Sequence, residues 1–503
     1  MFAQTQSLIF NGLDPKEINV QTSISNGIPS LSIIGLADKS ILESKERIKA
    51  VLNGIDIKLP SKKIIIGLAP ASIKKEGSCF DLAICVSILT CIGVLKQEWV
   101  KNTIFIGELS LDGSISDVRG TLPAAMYALN NDMTFVCPQA NAKECSIIAE
   151  ELDFIAPKNI TDLIKHYQNE VVCEKPKLDI EEEIYEQKCQ KFEDIIGQSV
   201  AKRAVIIAAA GKHNVLLNGH PGTGKSMLAS AFSGILPKMT PIEMLEVNKV
   251  YSMAGMIDSS GIVSRRPYRN PHHSSSIASI VGGGKVGQVG EITLAHKGVL
   301  FLDELPEFGK QTIDSLRQPI ESKNVSISRA DYKISYPCDF QLFAAMNPCK
   351  CGYYGQKSRE CSSAPSCVSK YTSLVSGPIM DRIDIVANMS TESISRNRSH
   401  KVQTTEEIKG IVERARNVQK ARYAKLGIET NSELTNELIQ KHCVLNDEIT
   451  QLIERYSKKF TLSMRKYNKV IKVAKTIADI EGCPRIKKEH VIEALQFNNS
   501  YTE

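Results

Sequence analysis

One segment of the chain has the spacing of glycines, lysine and serine that is typical of a phosphate-binding loop. The apolar run Val215–Leu217 precedes it, and an apolar helical pattern begins at Met227. Glycines let backbone N–H groups turn toward phosphate oxygens, and the dipole of the following helix favours an anion. We therefore predict that the lysine binds the β- and γ-phosphates of ATP and that the serine binds Mg²⁺. The loop consists of Gly219, His220, Pro221, Gly222, Thr223, Gly224, Lys225 and Ser226.

Two further apolar runs end in polar residues that could complete such a site. Val299–Leu302 leads into Asp303 and Glu304, and Phe340–Met346 leads into Asn347. Buried parallel strands present residues of this kind at their carboxyl ends. We predict that Asp303 belongs to the Mg²⁺ shell and that Glu304 polarises the attacking water, so that ATP is hydrolysed. Asn347 could orient the same water, although asparagine also suits a helix or turn cap.

Among the 14 cysteines, one group is clustered in sequence directly after Asn347. It consists of Cys349, Cys351, Cys361 and Cys367. Four thiolates at this spacing could bind Zn²⁺ tetrahedrally, which would fix the loop that follows the strand. The alternative is a degenerate site in which some of the thiols stay free.

The length and composition indicate a folded protein of several domains. With 503 residues, the chain has room for about three domains. Hydrophobic residues make up 42% and charged residues 23%, which excludes a disordered protein. No apolar run reaches the ~20 uncharged residues of a membrane span, and no signal peptide is recognised. We therefore expect a cytoplasmic protein, in which Phe80–Leu95 forms a buried helix.

The patterns divide the chain into three blocks and predict an α/β fold class. Residues 1–168 alternate strand-like and helical runs. Residues 169–194 are rich in acidic residues and are predicted to be a linker. Residues 195–395 alternate again and include the phosphate-binding loop, while residues 396–503 have helical spacing almost throughout.

Five further segments, taken with the phosphate-binding loop, resemble the ComM/YifB family of magnesium-chelatase-like AAA+ ATPases. The resemblance covers nearly the whole chain and implies a parallel-sheet AAA+ domain, a C-terminal helical lid and an N-terminal domain like the Lon protease. It also implies a ring-forming motor, usually a homo-hexamer, that binds ATP between subunits. The segments are Arg269–His273, Gly290–His296, Phe301–Phe308, Ala345–Cys349 and Ser376–Arg382.

The resemblance assigns roles to three residues. Asn347 is similar to the sensor-1 residue, and Arg382 is similar to the arginine finger that is offered to a neighbouring subunit. Arg465 is similar to the sensor-2 arginine of the lid. An arginine supplied by the neighbour neutralises charge on the γ-phosphate, so hydrolysis would depend on assembly. Without the resemblance, each arginine would be interpreted as a solvated surface charge.

Members of this family resemble helicases that drive branch migration of DNA during natural transformation. Two inserts of the central block carry basic residues that could follow a phosphate backbone without reading bases. The first is glycine-rich, and the second, Asn324–Tyr336, has the alternation of a β-hairpin. The alternative is that both are solvated loops or subunit-packing surfaces. The candidate DNA contacts are Arg265, Arg266, Arg269, Lys285, Arg329 and Lys333.

In the N-terminal block, two segments resemble the proteolytic domain of Lon, which uses a Ser–Lys pair. Cys79 occupies the position of the nucleophile, and Leu122 occupies the position where the lysine belongs. Because no base is present to activate a nucleophile, we expect this domain to be non-proteolytic. Lys74 and Lys75 are expected to be surface charges.

The sequence therefore favours an ATP-driven DNA motor that needs ATP and Mg²⁺, with single-stranded or branched DNA and further copies of the chain as partners. Three alternatives remain: a protein-remodelling motor of the magnesium-chelatase type, an ATP-dependent protease, and a nucleotide-binding scaffold. Leu122 argues against the protease, and the presence of Lys225, Asp303, Glu304 and Arg382 argues against a scaffold that does not hydrolyse ATP.

Overall fold

The computed structural model divides the chain into two compact units. The first contains Met1–Glu183, Pro241–Ser264 and Ser328–Ser335, and the second contains Ile184–Thr240, Arg265–Ile327 and Tyr336–Glu503. The residues described are 1–173, 175, 190–257, 261–284, 287–328, 333–355, 361–389, 403–460 and 463–498. Lys285, Arg329, most of the predicted linker 169–194 and the first residues of the block 396–503 lie outside them.

The first unit is built on a mixed sheet. Its strands are β1 (Phe2–Asn11), β2 (Asp14–Ser25), β3 (Ser30–Ile34), β4 (Lys63–Ala69), β5 (Thr103–Phe105), β6 (Glu108–Leu109), β7 (Ile115–Ser116), β8 (Thr134–Val136) and β9 (Phe154–Ile155). Seven of them form one sheet in the order β3-β4-β2-β1-β5-β8-β9. β1 and β2 form a long antiparallel hairpin, in which Phe2 lies opposite Ser23 and Asn11 opposite Asp14. Buried and more exposed residues alternate along most of both strands, as expected for strands with one face on a core.

Helices cover the sheet of the first unit. They are α1 (Lys39–Gly54), α2 (Asp81–Cys91), α3 (Gln97–Val100), α4 (Thr121–Asn130) and α5 (Ile160–Tyr167). Every residue of α2 is buried, which confirms the buried helix expected in this stretch. Asp81 begins α2 and accepts a hydrogen bond from Arg47 Nε at 2.7 Å, so its buried carboxylate is paired.

The second unit contains a parallel sheet. The strands along this part of the chain are β10 (Val215–Gly219), β11 (Tyr268–Arg269), β12 (Gly282–Gly283), β13 (Gln288–Val289), β14 (Val299–Leu302), β15 (Asn324–Ser328), β16 (Lys333–Pro337), β17 (Gln341–Met346) and β18 (Ile385–Met389). Five of them pair in parallel in the order β11-β14-β17-β10-β18. β14 and β17 are buried throughout, as the apolar runs predicted. The carboxyl ends of β14, β17 and β10 therefore lie side by side.

The rest of the chain is mostly helical. The helices are α6 (Ser199–Gly211), α7 (Lys225–Gly234), α8 (Pro241–Ala254), α9 (Ile277–Val281), α10 (Glu291–Leu294), α11 (Lys310–Ser315), α12 (Arg317–Ser322), α13 (Ser366–Thr372), α14 (Gly377–Met380), α15 (Thr405–Tyr423), α16 (Asn436–His442), α17 (Asp447–Phe460), α18 (Met464–Ile480) and α19 (Lys488–Gln496). The C-terminal helices share a core with the parallel sheet. None of the described helices is long and apolar enough to cross a lipid bilayer.

Helix α8 follows the phosphate-binding loop in sequence but belongs to the first unit. It packs against α4, where the backbone N–H of Gly120 donates to the carbonyl of Ser252 at 3.1 Å. The N–H of Leu122 donates to Ser252 Oγ at 3.2 Å. The sequence placed α8 inside the block 195–395 because chain order cannot indicate such a change of unit.

Candidate nucleotide-binding site

The phosphate-binding loop joins β10 to α7 with the predicted strand–loop–helix geometry. Gly222 and Gly224 have φ values of 77° and 89°, in the left-handed region that favours glycine. A Cβ atom added at either glycine would meet no described atom within 4 Å, so the backbone conformation rather than space requires glycine. The turn leads into the N-terminus of α7, where free N–H groups and the helix dipole favour a phosphate.

Lys225 lies at the first position of α7 and is only 9% exposed. Its ammonium group donates to the carbonyls of Gly219 at 2.7 Å and His220 at 3.0 Å, and to Asn347 Oδ1 at 3.0 Å. Burial lowers the pKa of Lys225, and the nearby carboxylates of Asp303 and Glu304 oppose that shift. The structure thus brings Lys225 and Asn347 together, as the adjacent ends of β10 and β17 require.

Ser226 and Asp303 also meet. Ser226 Oγ donates to Asp303 Oδ2 at 2.8 Å, which places a hydroxyl oxygen beside a carboxylate at the carboxyl end of β14. Oxygen ligands of these two kinds are those that Mg²⁺ prefers, so the residues fit the predicted metal. With Mg²⁺ bound, these oxygens would hold the ion against the phosphates of the nucleotide.

Glu304 lies beside the predicted Mg²⁺ ligands in a conformation that is uncommon for its residue type. Its φ is 51°, and its backbone N–H donates to Asp303 Oδ1 at 2.9 Å. The half-exposed carboxylate has Oε2 3.5 Å from His273 Nδ1. The rings of His273 and His272 are in contact, with centroids 4.1 Å apart and planes tilted by 33°. Sequence reasoning missed this neighbour of Glu304, because no local spacing connects residues 273 and 304.

Arg382 and Arg465, the two arginines with predicted roles, lie outside the phosphate-binding loop. Arg382 Nη2 lies 2.7 Å from Glu321 Oε1, and Nη1 donates to the carbonyl of Pro378 at 2.6 Å. Arg465 is exposed in the first turn of α18, which Ser463 caps. No contact between either arginine and the phosphate-binding loop is found among the described residues, so their assigned roles stay predictions.

The four clustered cysteines converge in space. Their sulfur atoms all lie within 4.8 Å of one another, although residues 356–360 between them lie outside the described residues. Tetrahedral zinc with Zn–S bonds of about 2.3 Å places its sulfurs about 3.8 Å apart. The four thiols therefore fit the geometry of a structural zinc site. The cluster is Cys349, Cys351, Cys361 and Cys367.

A second group with metal-ligating side chains, Glu481, Cys483 and His490, is already satisfied by the protein. His490 Nδ1 accepts the N–H of Lys487 at 3.0 Å, and Nε2 lies 3.0 Å from a Glu481 oxygen. Since Nδ1 accepts, Nε2 carries the proton and donates. Both ring nitrogens are occupied, so this group is a helix cap rather than a second metal site.

The candidate DNA contacts divide into two groups. Arg266 donates to the carbonyls of Pro237 and Lys297, each at 2.7 Å. Arg269 forms a two-point ion pair with Glu291, at 2.6 and 2.9 Å. These two arginines hold the local fold, which differs from the open basic loop expected from the sequence.

Arg265 and Lys333 are exposed, whereas Lys285 and Arg329 lie outside the described residues. Lys333 begins β16, which pairs with β15 in the predicted hairpin. The glycine-rich ribbon β12–β13 lies on this hairpin. Tyr336 Oη donates to the carbonyl of Gly287 at 2.8 Å, and a Cβ added at Gly282 would lie 2.9 Å from Ile327. The glycine-rich ribbon thus packs against Ile327 and Tyr336 at the base of the hairpin.

The region that resembles Lon has no assembled nucleophile. Burial and the nearby charge of Asp81 raise the pKa of the Cys79 thiol to about 12, which keeps it protonated. Leu122 is fully buried in α4. Lys75 was expected at the surface, but it is fully buried and donates to the carbonyl of Pro70, so that expectation was wrong. Its neighbour Lys74 is exposed and pairs with Glu76. The pattern of polar and apolar residues cannot show which of two adjacent lysines is buried.

Comparison with known families agrees with this architecture. The family profile described as "Magnesium chelatase, subunit ChlI" matches residues 191–397. The profile "Subunit ChlI of Mg-chelatase" matches residues 20–141, and "Magnesium chelatase, subunit ChlI C-terminal" matches residues 402–498. The matches extend over both units and the C-terminal helices.

Individual relatives are similar over nearly the full length. The chain is 37% identical over 497 residues to the "Competence protein ComM" of Haemophilus influenzae, which covers 97% of this chain and 95% of that protein. It is 36% identical over 488 residues to a protein named YifB from Salmonella typhimurium, with the same coverage. The "Magnesium-chelatase 67 kDa subunit" of Chlorobaculum parvum is 29% identical over 160 residues, or 31% of this chain and 23% of that subunit.

Membership of this family implies an ATPase that uses ATP and Mg²⁺, in agreement with the assembled phosphate-binding loop. The full-length similarity, the α/β architecture and the helical C-terminal region together identify the family of the chain. It belongs to the ComM/YifB family of magnesium-chelatase-like AAA+ ATPases.

Proposed function

We propose that this protein is an ATP-driven DNA motor that works as a homo-hexameric ring and drives branch migration in natural transformation or homologous recombination. The observation that carries the ATPase part is the convergence of Lys225, Ser226, Asp303 and Asn347 at one sheet edge. Two features support the DNA part: a relative is named a competence protein, and the hairpin β15–β16 presents an exposed lysine.

The hairpin β15–β16 is the proposed DNA contact. An exposed lysine near the tip of a hairpin can contact a phosphate without reading a base. Lys333 in the first unit and Arg265 in the second are exposed basic residues, and we assign each of them separately as a candidate phosphate contact. Lys285 and Arg329 belong to the same proposal by their position in sequence. Arg266 and Arg269 are left out, since Arg266 holds backbone carbonyls and Arg269 holds a carboxylate.

The ring part of the proposal depends on Arg382. Its guanidinium group is held by Glu321 and Pro378 rather than by the phosphate-binding loop of the same chain. A finger that acts on a neighbour's nucleotide needs an anchored position outside its own site. Charge that develops on the γ-phosphate would then be neutralised across a subunit interface, so that single chains would hydrolyse ATP poorly.

A second candidate is a protein-remodelling motor of the magnesium-chelatase type that has no DNA substrate. The three ChlI matches favour it, because they extend over most of the chain. The two candidates differ in what stimulates the ATPase. We expect the hydrolysis rate to rise several-fold with four-way DNA junctions and the rise to fade with added salt. An ATPase that is indifferent to DNA at low salt would favour the remodelling motor.

We also propose that the four-cysteine cluster binds one Zn²⁺ as a structural ion. The convergence of four sulfur atoms supports this assignment, because a tetrathiolate set suits zinc. Metal analysis of the purified protein should give about one zinc per chain, and serine substitutions at Cys361 and Cys367 should remove it. A content well below one zinc in freshly purified wild-type protein would refute the site.

A further inference from the structure

The cysteine-bearing loop touches the phosphate-binding loop. We call residues Cys349–Tyr354 the clamp loop. The carbonyl of Gly352 accepts a hydrogen bond from His220 Nδ1 at 2.7 Å, which requires the proton of that ring on Nδ1. Gly352 has a φ of 82°, and a Cβ added there would lie 2.6 Å from Pro221 Cγ. One residue of the clamp loop therefore contacts two consecutive residues of the phosphate-binding loop.

The same loop is tied to the cysteine cluster. Cys349 and Cys351 supply two of the four sulfurs, and Gly352 directly follows Cys351. The N–H of Gly352 donates to the carbonyl of Cys349 at 2.9 Å, and the N–H of Tyr354 lies 3.4 Å from Cys349 Sγ. A metal ion that holds both cysteines would fix the backbone on the N-terminal side of Gly352. The contact with His220 then has little freedom to move.

A third connection runs through the strand that precedes the clamp loop. Asn347 is two residues before Cys349 and accepts a hydrogen bond from Lys225 at 3.0 Å. The segment 347–352 thus contacts both ends of the phosphate-binding loop. Gly352 contacts His220 and Pro221 near the start of that loop, and Asn347 contacts Lys225 near its end. The segment that carries Cys349 and Cys351 is therefore in contact with both ends of the phosphate-binding loop.

We propose that metal bound by the four cysteines sets the affinity of the phosphate-binding loop for nucleotide, with Gly352 as the point of contact. This inference rests on the proposed zinc site and is independent of DNA. Four bound thiolates restrict the clamp loop to the conformation that holds His220 and Pro221. When the metal is lost, the clamp loop samples further conformations, and ordering the phosphate-binding loop around a nucleotide becomes more costly.

The first test measures binding of a fluorescent, non-hydrolysable ATP analogue with Mg²⁺, and zinc content, on the same samples. Chelator-treated protein should bind the analogue about five- to tenfold more weakly than zinc-loaded protein, as expected for the loss of one or two ordered contacts. Added Zn²⁺ should restore the affinity. An affinity that stays constant while zinc falls from one to near zero per chain would overturn the coupling. Untreated protein without zinc would instead overturn the zinc site.

The second test keeps the metal and breaks the contact. Gly352→Ala puts a methyl group into Pro221, whereas Gly355→Ala, at a φ of 81° just after the clamp loop, meets no atom of the described residues within 4 Å. Both substitutions carry the same backbone strain, so their difference isolates the contact. Gly352→Ala should retain one zinc and bind the analogue about five- to tenfold more weakly than Gly355→Ala. Equal affinities of the two zinc-loaded variants would contradict the proposal.

A cysteine control separates the cluster from thiol loss in general. The variant Cys361→Ser/Cys367→Ser removes two ligands outside the clamp loop, while Cys173→Ser/Cys483→Ser removes two half-buried thiols elsewhere. Only the first variant should lose zinc and nucleotide affinity together. Equal weakening in both double variants would show a general effect of thiol loss and would overturn the assignment.

Discussion

Two regions of the molecule carry residues that could do chemistry, and they use them differently. At the edge of the parallel sheet, side-chain hydrogen bonds join Lys225 to Asn347 and Ser226 to Asp303. In the N-terminal unit, Cys79 is held protonated, and Lys75 is buried against a backbone carbonyl. Residue types alone would rate both regions as candidates.

The comparison teaches that convergence, not composition, makes a site. Adjacent parallel strands end at one edge, so three separated sequence segments deliver polar groups to the same place. In the N-terminal unit, Leu122 lies in the helix α4 that packs against α8, and its N–H donates to Ser252. The position where a base would be needed is thus part of the packing. The predictions below test this contrast.

The largest effect is expected at Arg382. Arg382→Ala should lower the ATPase rate by about three orders of magnitude, because an arginine finger stabilises charge on the γ-phosphate. Glu321→Gln is the matched control, since it removes the same ion pair but keeps the arginine. Glu321→Gln keeps an oxygen that can accept a hydrogen bond from Arg382, so it should retain most of the activity, and a loss as large as that of Arg382→Ala would contradict the prediction.

Mixing experiments sharpen the same prediction. Arg382→Ala supplies an intact Glu304, and Glu304→Gln supplies an intact Arg382. Rings that contain both variants should recover part of the ATPase rate, because one neighbour provides what the other lacks. Mixtures as inactive as either variant, although shown to co-assemble, would argue against a site shared between subunits.

The next effect compares the two regions directly. Glu304→Gln should lower turnover by about two to three orders of magnitude while ATP still binds, because the water loses its polarising carboxylate. Cys79→Ala should leave both the ATPase rate and ATP binding unchanged. A steady-state ATPase assay with an ATP-binding measurement checks both variants. Full turnover in Glu304→Gln would refute the assigned role.

A smaller effect concerns stability and pH. Burial acts to raise the pKa of Asp339, but the charges of Lys212, Lys323 and Lys297 outweigh it and hold the pKa well below its usual value. The unfolded chain then binds the proton more readily, so this stabilisation is present above about pH 4 and is lost as the pH falls further. Asp339→Asn should cost about 2 to 3 kcal/mol of unfolding free energy, since three lysines lose their counter-charge.

The control for Asp339 lies in the first unit. Asp112 also has a lowered pKa, through hydrogen bonds from the hydroxyl and the N–H of Ser114, but it lies in an exposed turn. Asp112→Asn should therefore hardly change the unfolding midpoint. Urea unfolding at pH 7 and at pH 3 measures both variants, because the contribution of Asp339 is lost only below about pH 4. An Asp339→Asn protein as stable as wild type at pH 7 would contradict the role of the lysine cluster.

The smallest effect is expected on the proposed DNA surface. Lys333→Glu should weaken binding to a four-way junction about five- to tenfold and reduce its salt dependence, as expected for a lost phosphate contact. Lys74→Glu, on an exposed lysine of the same unit, is the matched control. Equal binding by wild type and Lys333→Glu at low salt would remove the hairpin from the DNA surface.

Much of the second unit could be predicted from the sequence because its pattern is strong. The apolar run Val299–Leu302 and the mostly apolar run Phe340–Met346 predicted the strands β14 and β17. The two strands pair in parallel, so the polar residues that follow them lie at the same sheet edge. The long hairpin β1–β2 was not recognised, although its residues alternate in burial. Weak alternation of polar and apolar residues at a chain terminus is hard to separate from loop composition.

The rest of the site depended on tertiary contacts that no local pattern contains. Arg269 lies in a basic stretch of the chain, yet Glu291 neutralises it. Lys75 and Lys74 are adjacent, yet one is fully buried and the other is exposed. The contact of His220 with Gly352 joins residues that are far apart in sequence. The number of charged residues in a sequence therefore does not show which of them are paired or buried in the fold.

The most direct test of the proposed motor is strand displacement from a labelled four-way DNA junction, with wild-type protein and Glu304→Gln assayed in parallel. We expect wild-type protein with ATP and Mg²⁺ to convert the junction to duplex products. Glu304→Gln, or wild type with a non-hydrolysable analogue, should bind the junction and leave it intact. Wild-type protein that hydrolyses ATP at full rate and never converts the junction to duplex products would contradict the proposal that hydrolysis drives branch migration.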